Sequence, residues 1–174
     1  MFRYTDKEID QLIKNATVVI DTREQKCSHI IEYFEKKKIP YCFEKLKAGD
    51  YTLKIQLPHM HRPYYLQDRC AIERKANLEE LSGNFTKKRE AFESEFARAK
   101  GIIYLLIENA SYEDLVLKKY KTGYDRKLFV ASLKAFEARY NIRTIFIKDN
   151  TFSGHFIYST LIYSLKEQFK QGEI

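Results

Sequence analysis

Four residues that could act on a phosphate stand where predicted strands meet turns. Glu73 and Lys75 lie two positions apart in the run CAIERK, and residues two apart in a strand point to the same face. Asp21 closes the run TVVID, and Asp50 opens DYTLKI. Carboxylates gathered from separate strands repel one another, and a divalent cation such as Mg²⁺ offsets that repulsion. These residue types predict metal-assisted hydrolysis of a phosphodiester bond.

Lys75 has a specific part in this hypothesis. Its ammonium would lie beside the acidic cluster, where it could orient or help to deprotonate an attacking water and balance charge on a phosphoryl group. Arg74 points to the opposite face and is expected to order the scaffold or to contact a neighbouring strand. The alternatives are a surface ion pair for Glu73 with Lys75, a turn role for Asp50 and a helix-start charge for Glu24. Their combination in this order favours the catalytic interpretation.

Length and composition predict one soluble domain. The chain has 174 residues, of which 44% are hydrophobic, so 1–174 is expected to be a single domain with its core at about 17–148. The apolar run IIYLLI is too short to cross a membrane, and the N-terminus has no signal-peptide pattern, so a cytoplasmic protein is expected. The three cysteines are widely spaced and are expected to be free thiols.

The formal net charge of +7 favours an anionic partner. Lys and Arg side chains that face phosphates release condensed counterions, so a nucleic acid is the predicted partner. An ordinary solvated basic surface is the alternative.

Apolar periodicity predicts a mixed α/β sheet flanked by helices. Strands are predicted at TVVID, YCFEKL, DYTLKI, CAIERK, GIIYLLIE and IRTIFIK. The second and third of these are expected to form a hairpin, and 56–69 is expected to be a loop. Helices are predicted at 5–16, from a cap at Ser28 to near Pro40, from 78 to a stop at Gly83, at 87–100 after a cap at Asn84 or Thr86, at 112–119, at 125–140 and at 154–171.

Three signatures occur together in order: VVIDTRE (18–24), GDY (49–51) and ERK (73–75). With them the chain resembles the XPF-type structure-specific nuclease domain, from about Thr17 to residue 148. The resemblance implies a restriction-endonuclease-like fold. It also implies an endonuclease that uses Mg²⁺ or Mn²⁺ and hydrolyses DNA at branches, forks or flaps.

The resemblance assigns a role to each matching position. The catalytic positions would be Asp21, Glu24, Asp50, Glu73 and Lys75. Of these, the metal ligands would be Asp21, Asp50 and Glu73. The positions implied to contact DNA are Arg23, Arg74, Ser82 and Arg89, the last two by a looser match.

Two departures from the family pattern are visible. Glu79 stands where the family has an aspartate, which is a conservative change. The tandem helix-hairpin-helix domain that follows the nuclease domain in eukaryotic and archaeal members has no counterpart here, so the chain looks more like the stand-alone versions of bacteria and phages.

Other functions and a partner remain open at this point. The same fold could be a catalytically inactive DNA-binding or scaffold module, or a sequence-preferring endonuclease of a mobile element. The terminal helix at 154–171 carries more apolar residues than one core stripe requires. Either it packs on two sides of the monomer, or one face forms a homodimer, as in the resembled family.

Overall fold

The strands of the sheet coincide with the apolar runs of the sequence. The computed structural model of the protein describes residues 4–174, and these form one mixed sheet. Its strands are β1 (Thr17–Asp21), β2 (Tyr41–Glu44), β3 (Tyr51–Ile55), β4 (Tyr64–Tyr65), β5 (Cys70–Lys75), β6 (Ile102–Glu108) and β7 (Ile142–Ile147). Across the sheet the order is β2-β1-β3-β5-β6-β7, with β4 beside β3. The predicted mixed α/β sheet is confirmed.

Helices cover both faces of this sheet. They are α1 (Asp6–Leu12), α2 (Ser28–Lys37), α3 (Leu78–Thr86), α4 (Arg89–Arg98), α5 (Tyr112–Val116), α6 (Arg126–Arg139) and α7 (Ser153–Gln171). Residues of α1, α2 and α7 belong to one apolar cluster, and residues of α3, α4, α5 and α6 belong to another. No described helix is long and apolar enough to cross a membrane.

Alternation along β6 shows how one strand serves both clusters. Ile103, Leu105 and Ile107 lie in the cluster of α3 to α6. Leu106 lies in the cluster of α1, α2 and α7, and Tyr104 packs against it. This period of two is the geometry of an extended strand covered on both faces.

The predicted hairpin of β2 and β3 is wrong, because β1 lies between them. β2 pairs with β1 in parallel, with Val18 opposite Tyr41, and β3 pairs with β1 antiparallel, with Val18 opposite Leu53. Parallel neighbours need a crossover connection, and α2 supplies it. Alternation in a sequence predicts that strands exist but does not specify their partners.

Several helix ends differ from the prediction. Thr5 and Glu8 form the expected capping box of α1, which ends at Leu12 and continues as a 3₁₀ turn. Ser28 is the first residue of α2 rather than its cap. α3 continues through Gly83, since the apolar Phe85 beyond it is buried. Neither expected cap serves α4, whose N-cap is Lys88.

The segment 56–69 is not wholly a loop. It contains β4, which pairs with the end of β3, and a 3₁₀ turn follows directly. Leu66 in that turn is fully buried. This apolar anchor holds the segment against the sheet.

The terminal helix α7 uses its apolar residues within the monomer. It packs against α1, α2, β3 and β5, and Ile157, Leu161 and Leu165 are fully buried. Tyr163 is its most exposed large apolar side chain, at 65%. The structure thus shows the first of the two alternatives, packing within the monomer, and a homodimer through this helix stays a prediction.

Gly49 allows the turn before β3 to approach β5. Its φ is +75°, in the left-handed region. A Cβ at this position would lie 3.0 Å from Ala71 Cβ and 3.1 Å from the Ile72 carbonyl oxygen. Glycine is thus required on both conformational and steric grounds, and the next residue, Asp50, is set against β5.

We expect Gly49→Ala to destabilise the protein by roughly 1–3 kcal/mol, because alanine adds strain at positive φ and crowds β5. Urea unfolding monitored by circular dichroism measures the change. Gly83→Ala is the matched control: Gly83 is helical with nothing within 4 Å of an added Cβ, so it should stabilise by about 0.5–1 kcal/mol. Equal stability of the two variants would contradict this account of Gly49.

Candidate active site

Strand β5 presents Glu73 and Lys75 on one face, as their spacing predicts. Lys75 Nζ donates to Glu73 Oε1 at 2.6 Å, and the two side chains are only 9% and 4% exposed. The other carboxylate oxygen, Oε2, is buried and has no hydrogen-bond partner among the described residues. A buried carboxylate oxygen without a partner is costly, and it points to an absent cationic ligand.

Asp50 is fixed between two strands by its own backbone. Its N–H donates to the Ile72 carbonyl at 2.7 Å, and its carbonyl accepts from the Asp21 N–H at 2.8 Å. Its side-chain Oδ2 accepts from the Arg74 N–H at 2.8 Å. The carboxylate is therefore held beside β5, next to the Glu73–Lys75 pair.

Burial and mutual repulsion govern the charges here. Burial first, and then the neighbouring charge of Glu73, raise the pKa of Asp50 well above its usual range. Burial raises the pKa of Glu73, the Lys75 ammonium opposes this, and the charges of Glu95 and Glu24 add to the increase. The resulting pKa is about 7. The site thus holds more carboxylates than its single lysine can neutralise.

Lys75 is protonated in this setting. Burial alone would lower its pKa, but the charges of Glu73 and Asp50 outweigh burial and raise it. Its ammonium also lies 3.9 Å from Glu80 Oε1 and 5.1 Å from the centre of the Phe92 ring. A cation held by carboxylates and an aromatic face is suited to stabilising negative charge.

Arg74 points away from Glu73 and Lys75, as expected, and joins a buried ionic network. Its guanidinium donates to Glu24 Oε1 at 2.8 Å and to Glu108 Oε2 at 2.7 Å. His29 Nε2 lies 2.8 Å from Glu108 Oε1. The Arg74 side chain is only 5% exposed, so the structure does not support its assigned contact with DNA. It positions Glu24 and, through its backbone, Asp50.

The Asp21 carboxylate is engaged within the protein. It is fully buried and accepts from Arg23 N, Nε and NH2 and from the Leu46 N–H, at 2.6–3.1 Å. Burial raises its pKa, but these bonds outweigh burial and lower it. Both oxygens of Asp21 thus accept hydrogen bonds within the protein, and its assignment as a metal ligand stays a prediction.

Of the other three residues predicted to contact DNA, Ser82 and Arg89 are bonded within the protein, and Arg23 is accessible. Ser82 is 2% exposed, and its hydroxyl lies 2.8 Å from Thr122 Oγ1. Arg89 lies over the Phe136 ring and donates to Ser132 Oγ at 3.3 Å. These two residues join α3 and α4 to their neighbours, and this geometry does not support the expected contacts with DNA. The Arg23 side chain, at 57% exposed, is accessible.

A cleft of about 610 Å³ opens at the C-terminal end of β5. We call it the acidic cleft after the carboxylates in its wall, which belong to Glu24, Asp50 and Glu80. The same wall carries the cations Arg23, Lys26, Arg74, Lys75 and Lys88. Within 4–174, no three His, Cys, Asp or Glu side chains cluster closely enough to hold a metal ion by themselves. Two carboxylates are sufficient for Mg²⁺ when waters and substrate phosphates complete its coordination.

Sequence reasoning missed four residues around this site. Glu95 on α4 accepts from the Gly49 N–H at 3.3 Å and acts electrostatically on Glu73. Glu108 and His29 extend the Arg74 network, and Lys88 lines the cleft. Glu108 ends an apolar strand, and a charged residue at that position could have been recognised in the sequence as a candidate site residue. The sequence gives no comparable indication for Glu95, His29 or Lys88.

Comparison with models of known protein families identifies the family of this chain. The model of the ERCC4 domain matches residues 20–160. The chain belongs to the ERCC4 domain family. A comparison with curated protein sequences gives no match.

Solved structures show the same fold in XPF of Aeropyrum pernix. One structure of that protein has a TM-score of 0.61 and 19% identity, and the match covers 85% of this chain and 61% of that one. A second, in complex with DNA, has a TM-score of 0.62 and 20% identity, and covers 87% and 66%. The ERCC4 domain described here thus spans less than two thirds of each chain. The expected resemblance to the XPF-type domain is confirmed at the level of family and fold.

Glu73 should make stability depend on pH. Its pKa rises on folding from 4.5 to about 7, so the folded state holds this proton more tightly. Its contribution is full below pH 4.5 and is lost as pH rises towards 7. Between pH 5 and 8, the unfolding free energy of wild type relative to Glu73→Gln should fall by roughly 2 kcal/mol.

Urea titrations of both proteins, without divalent ions, measure this difference. Glu90→Gln, an exposed glutamate on α4, is the control and should follow wild type. If the difference between wild type and Glu73→Gln stays constant over this range, the raised pKa of Glu73 is wrong.

Proposed function

We propose that this ERCC4 domain is a metal-dependent DNA endonuclease that hydrolyses phosphodiester bonds. The observation that carries the proposal is the buried pair Asp50 and Glu73 beside a protonated lysine, with one Glu73 oxygen unpartnered. Such a site gains most from a divalent cation and an anionic substrate. Family membership adds independent support.

Asp50 and Glu73 are the residues that would hold Mg²⁺ or Mn²⁺. The unpartnered Glu73 Oε2 and the hard oxygen donors of both groups fit such an ion. Glu24 lines the cleft beside Asp50 and acts electrostatically on both carboxylates, and the Arg74 guanidinium holds its own carboxylate in place. When bound, the ion supplies charge neutralisation at the phosphate and lowers the pKa of a bound water.

Lys75 would act as a charge and not as a base. Its raised pKa keeps it protonated, so it can donate to a phosphoryl oxygen as negative charge develops there. Its bond to Glu73 fixes the ammonium in place before substrate arrives. Preorganisation of this kind avoids reorganisation during the reaction.

DNA is the substrate class that we propose, cut at branches, forks or flaps. The chain has a net charge of +7, and five cationic side chains line the acidic cleft. The XPF of Aeropyrum pernix with the same fold is known in complex with DNA. Contacts between cations and phosphates carry no information about the bases. A site built on them therefore recognises the shape of the DNA more than its base sequence.

We expect the wild type to cleave a labelled fork or flap when Mg²⁺ or Mn²⁺ is present. Asp50→Asn and Lys75→Ala should each lower the rate by roughly 10²-fold or more, because the first weakens the hold on the metal ion and the second removes positive charge from the phosphate. The assay is a gel of products from single-stranded, duplex, flap, fork and four-way DNA with each metal. Asp68→Asn and Lys36→Ala, at exposed positions, are the matched controls and should retain activity.

Two outcomes would contradict the proposal. Binding of these DNAs without cleavage in either metal would identify an inactive DNA-binding module. Cleavage confined to one duplex sequence, with no preference for junctions, would identify a sequence-preferring endonuclease.

A further inference from the structure

A second hollow borders the acidic cleft and is lined almost entirely by cations. It has a volume of about 630 Å³, and its walls are Arg23, Lys45, Leu46, Lys47 and Arg98. Arg23 lines both this hollow and the acidic cleft. A ligand lying in one can therefore continue directly into the other.

The cations of this hollow have little to neutralise them. Among residues 4–174, the side chains of Lys45, Lys47 and Arg98 form no ion pair, and all three residues are exposed. Arg23 has one acidic partner, the buried Asp21. Like charges gathered around one concave surface repel one another, and a bound polyanion relieves that repulsion.

Hydrogen bonds to Asp21 hold two parts of the wall of this hollow in place. Its carboxylate accepts from the Arg23 guanidinium and, at 2.6 Å, from the Leu46 N–H. Leu46 is itself buried, at 4% exposed, while its neighbours Lys45 and Lys47 face solvent. One buried carboxylate thus fixes the guanidinium and the backbone between the two lysines.

The lining indicates contact with a nucleic-acid backbone and not with bases. In the part of the chain that the structure describes, no aromatic side chain lines this hollow, and stacking on aromatic rings is how proteins bind unpaired bases. Lys and Arg bind phosphates without regard to sequence.

We propose that this cationic hollow binds phosphates of the DNA strand that passes through the acidic cleft, on one side of the cleaved bond, and that Asp21 is its positioning residue. This rests on the proposed function for the identity of the strand. Binding in the hollow is sequence-independent and salt-dependent. It explains why a carboxylate at the end of β1 is bonded to an arginine and a backbone amide.

The first test is the salt dependence of DNA binding by Lys45→Ala/Lys47→Ala. Equilibrium binding of a fluorescent fork is measured by anisotropy in Ca²⁺, from about 50 to 300 mM salt. Each lost phosphate contact lowers the slope of log K against log salt by about 0.7–0.9, so a decrease of about 1.5 is expected. Near 0.15 M salt the affinity should fall roughly 10- to 30-fold.

Lys36→Ala/Lys37→Ala is the matched control. It removes the same two charges from exposed positions in the last turn of α2, so its slope should equal that of wild type. If both double variants change the slope equally, only net charge matters and the proposed site is wrong. A wild-type slope for Lys45→Ala/Lys47→Ala overturns it as well.

The second test separates the two possible roles of Asp21. Asp21→Asn should weaken DNA binding about as much as Arg23→Ala, while Mn²⁺ binding measured by calorimetry stays within about twofold of wild type. Loss of Mn²⁺ binding with unchanged DNA binding would make Asp21 a metal ligand and overturn its positioning role. Because these are binding measurements, a protein that cuts nothing can still pass them, so this proposal and the proposed function fail separately.

Discussion

Burial of Asp50 and Glu73 side by side is the constraint on which the site depends. Each carboxylate has its pKa raised by burial, and the charge of Glu73 raises that of Asp50 further. One ammonium, from Lys75, cannot neutralise both of them, because the nearby Arg74 guanidinium is bound to Glu24 and Glu108. Such an arrangement is unfavourable in an isolated domain and favourable once cations are supplied. Strained electrostatics of this kind is typical of functional sites.

The fold holds this arrangement through backbone contacts. Gly49 lets the chain pass close to Ala71 and Ile72, and the Arg74 N–H then holds the Asp50 carboxylate. The Arg74 guanidinium fixes Glu24 on the other face of the strand. Acidic side chains therefore lie against both faces of strand β5. Its neighbours β3 and β6 keep this strand in the middle of the sheet.

Local patterns predicted most elements, and contacts distant in sequence explain the errors. Three consecutive β-branched residues specified β1, and the two-residue period of β5 correctly separated Arg74 from Glu73 and Lys75. The hairpin was wrong because strand pairing depends on the crossover through α2. The hydrogen bond from the Leu46 N–H to Asp21 spans 25 residues, so the sequence gives no sign of it. Ser82 and Arg89 rested on position alone, and the structure pairs them within the protein.

The central claim is that Asp50 and Glu73 form a metal site from which Asp21 is excluded. Crystals grown with Mn²⁺ test it most directly, through an anomalous difference map recorded near the manganese edge. The account predicts a peak within about 2.5 Å of oxygens of both Asp50 and Glu73. A peak bound to Asp21, or no peak near Glu73 at millimolar Mn²⁺ and pH 8, would contradict it.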